Sequence, residues 1–124
     1  MDKDEMELKI FEVDQQKIAE IESRQLVIHD AQDALDIMAD ASYLEASSLI
    51  LYETNLNPAF FELRTGFAGE VLLKFTNYRM KLAVIGEFEK YKSNSLQAFM
   101  SESNKGNQIF FVPDRETAIV RLSR

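Results

Sequence analysis

In "LRTGFAGEVLLKF", Leu63 to Phe75, apolar side chains at Phe67, Val71, Leu72 and Phe75 recur at the spacing of one helix face. On either side lie short apolar runs without alternation, Leu49 to Tyr52 and Leu82 to Ile85, of the kind that suits strands buried on both faces. A helix joining two such strands is a crossover, and crossovers join parallel strands with a right-handed turn. This stretch therefore predicts an α/β domain.

The flanking sequence extends that reading. In "MELKIFEV", Leu8, Ile10 and Phe11 or Val13 alternate with charged residues, and "KIAEIES" repeats the habit with Ile18 and Ile21. "DQQK" between them is a polar turn of hairpin length, though without Asn-Gly, so an antiparallel pair with one wet face is expected. "HDAQDALDIMADASYLEAS" offers Asp30 as a helix N-cap and Asp33 and Asp36 near the positive end of the helix dipole. Its apolar stripe is Ala31, Ala34, Leu35, Met38 and Ala41. Asn57-Pro58 is a helix-start signal, followed by Phe60, Phe61 and Leu63 in a short apolar turn. Ser93 or Ser95 caps a helix carrying Leu96, Phe99 and Met100, with Gly106 as its stop. "QIFFV" is a last buried strand, after which Pro113 breaks the chain and Asp114 caps a terminal helix through Ile119 and Leu122. The predicted order is β-β-α-β-α-β-α-β-α. A flexible head occupies 1–6 and a single domain 7–124.

Composition narrows the function. A chain of 124 residues, 46% hydrophobic, can bury one core. A net charge of -7 argues against nucleic acid, which needs clustered Lys and Arg, and against an anionic membrane surface. The start "MDKDEMELK" is charged where a signal peptide is apolar, so a cytoplasmic protein is expected. The absence of cysteine rules out disulfides, thiolate metal sites and cysteine nucleophiles.

Several residues invite chemistry. Thr65 reads as the N-cap of the helix that follows, or as a hydroxyl whose phosphate would meet free helix amides. Gly66 and Gly69 read as permitting close helix-sheet approach, since "TGFAGE" lacks nucleotide-binding glycine spacing. His29, the sole histidine, lies near Asp33, Asp36 and Asp40, which reads as a solvated acidic face; no metal site and no cofactor are expected. No Gly-x-Ser-x-Gly elbow is present. Glu53, Asn55 and Asn57 follow a buried strand, at the carboxyl edge where open α/β sheets bind ligands, and Gly86, Glu87 and Thr65 share that edge. Phe60, Phe61, Leu63 and Phe67 crowd within eight positions. A core role is the default for aromatics at helical spacing, but the short Asn57-Pro58 turn leaves one or two of them expected at the surface beside Thr65, as a partner site.

Two family resemblances attach to these segments. "HDAQDALDIMADASYLEA", "FFELRTGFAGEVLLKFTNYRMKLAVIGEF" and "SNKGNQIFFV" are similar to domain of unknown function 4180, a family of small bacterial proteins, which implies the fold and no established activity. The element order, with "ESNKGNQIFFVPDRETAIVRL", resembles the STAS domain of sulphate transporters and anti-sigma-factor antagonists. That resemblance implies a STAS-like, mixed and mostly parallel sheet with helices mainly on one face. In the antagonists a serine of an Asp-Ser-Ser-Gly motif is phosphorylated by a partner kinase, and "LRTG" is the matching stretch, with Thr65 in the serine's place before Gly66. Leu63 and Arg64 depart from the acidic residue and first serine of that motif; Arg64 is able to pair with a phosphate.

The expectation is a non-enzymatic interaction or regulatory module with a protein partner. Its surface would run through Glu53, Asn55, Asn57, Phe60, Phe61, Phe67 and Gly86, gated at Arg64, Thr65 and Gly66. Two alternatives stay open: a small-molecule binder or weak enzyme using the strand-end loops, and a homodimer built on apolar helix faces.

Overall fold

In the computed structural model, which describes residues 7–124, strand β1 (Leu8–Val13) turns back on β2 (Gln16–Ile21) through two residues only. Both of them, Asp14 and Gln15, have positive φ, 52° and 68°. That backbone suits the twist of a tight hairpin even without the Asn-Gly pair that adopts it most easily. The head expected at residues 1–6 lies outside the described residues. Then follow α1 (Ala31–Tyr43), β3 (Ser48–Tyr52), α2 (Phe67–Tyr78), β4 (Lys81–Ile85), α3 (Asn94–Lys105), β5 (Ile109–Val112) and α4 (Arg115–Leu122).

The five strands lie side by side in chain order. β1 and β2 are antiparallel, and β2 to β5 are parallel. Every right-handed crossover therefore steps in the same direction, which places α1, α2 and α3 on one face. Their side chains Met38, Val71, Phe75, Leu96 and Met100 form one core with Ile21, Leu49, Leu51, Leu82 and Val84. Phe75 has no exposed surface, and burying a side chain of that size is worth roughly 1.5–3 kcal/mol. α4 covers the other face, where Ala118 and Leu122 pack on Ile18, Ile50, Ala83, Ile85, Phe110 and Val112.

This arrangement corrects the expectation of a hairpin with a wet face. Ile18, Ala19, Glu20 and Ile21 are all buried, because β2 is an inner strand with cover on both sides. In α1, Ala31, Ala34, Met38 and Ala41 are buried as expected, Ile37 joins them, and Leu35 is half-buried against the same core. Helix starts follow local chemistry: Asp30 accepts from the Asp33 amide at 2.9 Å, Ser93 from Leu96 at 3.1 Å and Asp114 from Thr117 at 2.8 Å. Gly106 ends α3 with φ of -83°, so no left-handed turn stops that helix. Gly66 and Gly69 have no atom within 4 Å of where a Cβ would stand, so neither permits a close approach. The outer edge of β5 is closed by Asn104, whose side chain donates to the Phe111 carbonyl at 3.1 Å and accepts from its amide at 2.7 Å.

Candidate functional site at the carboxyl edge of the sheet

Strand order never reverses, so the sheet has no switch-point crevice of the kind that holds ligands in doubly wound folds. The carboxyl edge is shaped instead by the segment after β3. It winds through three short 3-10 turns, Glu53–Asn55, Pro58–Phe61 and Leu63–Thr65, before α2 begins.

Asn55 is the peg of this segment and has no exposed surface. Its Oδ1 accepts from the Tyr52 amide at 2.7 Å, and its Nδ2 donates to the carbonyls of Ser23 at 2.9 Å and Gln25 at 2.8 Å. Its own carbonyl accepts from the amides of Val27 and Ile28 at 3.0 and 2.9 Å. The loop after β2 is thereby sewn to the end of β3. The expectation that Asn55 lines a binding surface is corrected: its side-chain amide and its carbonyl are spent inside the fold. Half-buried Asn57 caps the second turn, accepting from the Ala59 amide at 3.0 Å and donating to the His29 carbonyl at 3.0 Å.

The same turns fold the aromatics inward. Phe60 and Phe61 are buried and meet at 5.0 Å between ring centroids, and Phe60 meets half-buried Phe67 edge-on at 6.3 Å. Phe60 and Phe61 are therefore core residues, as aromatics at this spacing are by default, and their expected part in a partner surface is corrected.

Thr65 is exposed, with exposed Arg64 and Gly66 beside it. Gly66, at φ +77°, is the N-cap of α2, so Thr65 stands one position before the cap it was expected to be. A left-handed residue is what connects the preceding 3-10 turn to the helix, and glycine adopts it without steric cost. The Thr65 hydroxyl still serves the helix start. It accepts from the Phe67 amide at 3.2 Å and directs its one proton at the carbonyls of Ala59 and Glu62, 2.9 and 2.8 Å away. Arg64 reaches only to 3.9 Å from Glu62 Oε1.

Across the edge, Glu53 leans over Gly86. A Cβ at Gly86 would stand 2.6 Å from Glu53 Oε1 and 2.8 Å from Glu53 Cβ, so only glycine leaves room for this carboxylate. Glu53 Oε2 accepts from the Tyr91 hydroxyl and from Lys90 Nζ at 2.9 Å, and the Glu53 side chain is 13% exposed. Tyr91 stacks on Phe61 at 5.0 Å. Burial, then the bond to Glu53 and its charge, hold the Tyr91 phenol well above its ordinary range. Leu26, Leu56, Pro58, Phe61 and Tyr91 wall an open cleft of about 300 Å³, with Glu53, Thr54 and Lys90 as its other lining residues.

On the α4 face a buried acid, Glu20, escapes sequence reasoning. Glu20 accepts from Arg115 Nε at 2.9 Å and from the Tyr52 hydroxyl at 2.8 Å, while the Arg24 guanidinium lies 3.3 Å from the Tyr52 ring centroid. Burial, then the bond to Glu20, raise the Tyr52 pKa. The cluster pins the start of α4 to the sheet. In the sequence it shows only as an acid two positions after Ile18, hence on the same strand face. His29 Nδ1 lies 3.0 Å from Asp33 Oδ2, at the start of α1. Among the described residues no group of His, Asp and Glu converges to hold a metal, and no helix is long and apolar enough to cross a membrane.

The class defined by these features is a mixed α/β domain with a five-stranded, mostly parallel sheet, its exposed hydroxyl and its cleft on loops at the carboxyl edge. The chain belongs to the family described as Domain of unknown function (DUF4180), whose model matches residues 13–122, from the last residue of β1 to the last of α4. No curated protein and no solved structure matches it.

Proposed function

We propose that this domain is a STAS-like, non-enzymatic interaction module, with a protein partner engaged at the carboxyl edge around Thr65 and binding gated by phosphorylation of that residue. The observation that carries this reading is the bonding of the Thr65 hydroxyl. It is exposed, yet its proton ties the turns at Ala59 and Glu62 to the start of α2. An esterified oxygen has no proton to donate, so phosphorylation deletes that tie. It also adds a charge of about -1.5 to -2 one residue before a helix N-terminus and beside Arg64, where an anion is favoured. The modified state thus differs from the unmodified one in loop contacts as well as in charge, as a switch requires. The order of strands and helices supports the STAS-like reading.

The test is affinity capture from native lysate with wild type, Thr65→Ser and Thr65→Glu as baits, joined to phosphopeptide mapping of the protein from its own cells. A partner held by wild type and Thr65→Ser but released by Thr65→Glu is expected. Equal capture by all three, with no phosphate on Thr65 under varied growth conditions, would reduce Thr65 to a loop tie. The second reading, a small-molecule binder, is favoured by the cleft beneath Lys90 and Tyr91.

A further inference from the structure

We infer that the cleft between the Glu53–Leu56 segment and Lys90–Tyr91 is a binding site for a small amine carried on an apolar body, with Glu53 as its anionic anchor. This inference does not depend on Thr65 or on a protein partner.

The chemistry is read from what the carboxylate already holds. Glu53 is largely withdrawn from water, and an ionised group so placed needs a cation or several donors. The Tyr91 hydroxyl is one donor, held in place by stacking of its ring on Phe61. The cation is the ammonium of Lys90, 2.9 Å from Oε2 and 5.4 Å from the Tyr91 ring centroid. Lys90 has a side chain 57% exposed, so it enters the pair from solvent on a flexible stem. Its ammonium stands where a ligand's ammonium would stand, over an aromatic ring and against a carboxylate. Among the described residues no donor reaches Glu53 Oε1, so a second acceptor is open.

The remaining walls are the apolar Leu26, Leu56, Pro58 and Phe61, with Thr54 as one further polar residue. A volume of about 300 Å³ is at the small end of ligand pockets, which span about 300–1,000 Å³. One ring or a short branched chain fills it. An anionic ligand would meet Glu53 as a like charge, and a neutral one would leave the carboxylate with only its present partners. Gly86 serves this site, since any side chain there would push the anchor out of position.

Isothermal titration calorimetry on the full chain decides the matter with three probes of similar body: 2-phenylethylamine, 2-phenylethanol and 3-phenylpropanoate. The amine is expected to bind at least tenfold tighter than the other two. Lys90→Ala, which removes only the tethered competitor from a solvent-facing position, is expected to tighten the amine by up to about fivefold, the scale of an exposed ion pair. Glu53→Gln is expected to erase the preference for the amine over the alcohol. Equal affinity for all three probes overturns the inference, as does their failure to bind both wild type and Lys90→Ala at millimolar concentration. Should Glu53→Gln fail to fold, Lys90→Ala still decides: amine affinity unchanged or weakened in that variant sinks the displacement argument.

Discussion

Asn55→Ala removes three side-chain hydrogen bonds at once and leaves the Tyr52 amide and the carbonyls of Ser23 and Gln25 without their partner. Each such bond is worth about 1 kcal/mol net, so the expected loss is about 3 kcal/mol. Domains of this kind have roughly 5–15 kcal/mol in all, which makes the loss a large fraction of the total. With unfolding entropy of about 2.1 cal/mol/K per residue, the melting temperature should fall by roughly 12 °C. Urea unfolding followed by circular dichroism measures the loss directly, and an unchanged slope with denaturant shows that the native fold persists. Asn55→Asp sharpens the argument because it keeps the shape and the acceptor toward Tyr52. It turns an oxygen toward two carbonyls in a site without solvent, so the acid's folded pKa must rise above its free value of about 3.9. The native state then holds a proton that the unfolded state has released, and stability falls as pH rises through the folded pKa. The gap between wild type and N55D should thus be wider at pH 7 than at pH 4. A loss under about 1 kcal/mol in N55A, or a gap flat with pH in N55D, would refute the reading of Asn55 as the peg of this edge.

Two substitutions should stabilise: Gly69→Ala, at an exposed helical site with nothing near its Cβ, and Gln15→Gly, which relieves a φ of 68°. Each is expected to add about 1 kcal/mol and raise the melting temperature by roughly 4 °C in calorimetry. Gly86→Ala should destabilise by about 1–3 kcal/mol, because its Cβ would stand 2.6 Å from Glu53 Oε1 and 2.9 Å from Phe88 Cζ. The Tyr91 phenol is raised in the fold, so its share of stability is whole below about pH 10 and is lost as pH rises through its folded pKa. Glu53→Gln should lower that phenol's pKa in an ultraviolet titration and shift the loss to lower pH. Asn104→Ala should open the β5 edge and produce concentration-dependent association in sedimentation, which wild type at equal concentration should lack.

What could be read in advance from the chain was whatever is local in it. The caps at Asp30, Ser93 and Asp114 were legible because each side chain serves an amide three residues on. The mostly parallel sheet was legible because short unalternated runs bracket helical stripes. Ile18 and Ile21 already carried the sign that β2 is buried twice over: three positions apart on a strand, they point to opposite faces. The site was far less legible. Asn55 looks like any polar loop residue until Ser23 and Gln25, 32 and 30 positions earlier, come to meet it. Glu53 and Gly86 acquire meaning only when adjacent strands bring their ends together. The aromatics at Phe60 and Phe61 read as too many for one turn because successive 3-10 turns, which leave little periodic trace, fold them into the core.

The unbroken order of the strands has a consequence for how the chain acquires its structure. Each strand from β2 onward finds its partner in the strand completed just before it, so every crossover closes a short loop at small entropic cost. Such a chain can build from its beginning while its end is still being synthesised, one strand and helix at a time. α4 must reach back across the sheet, and the contact between Arg115 and Glu20 spans 95 positions. That ion pair forms only once the last helix has left the ribosome, and it latches a sheet whose other face is already covered.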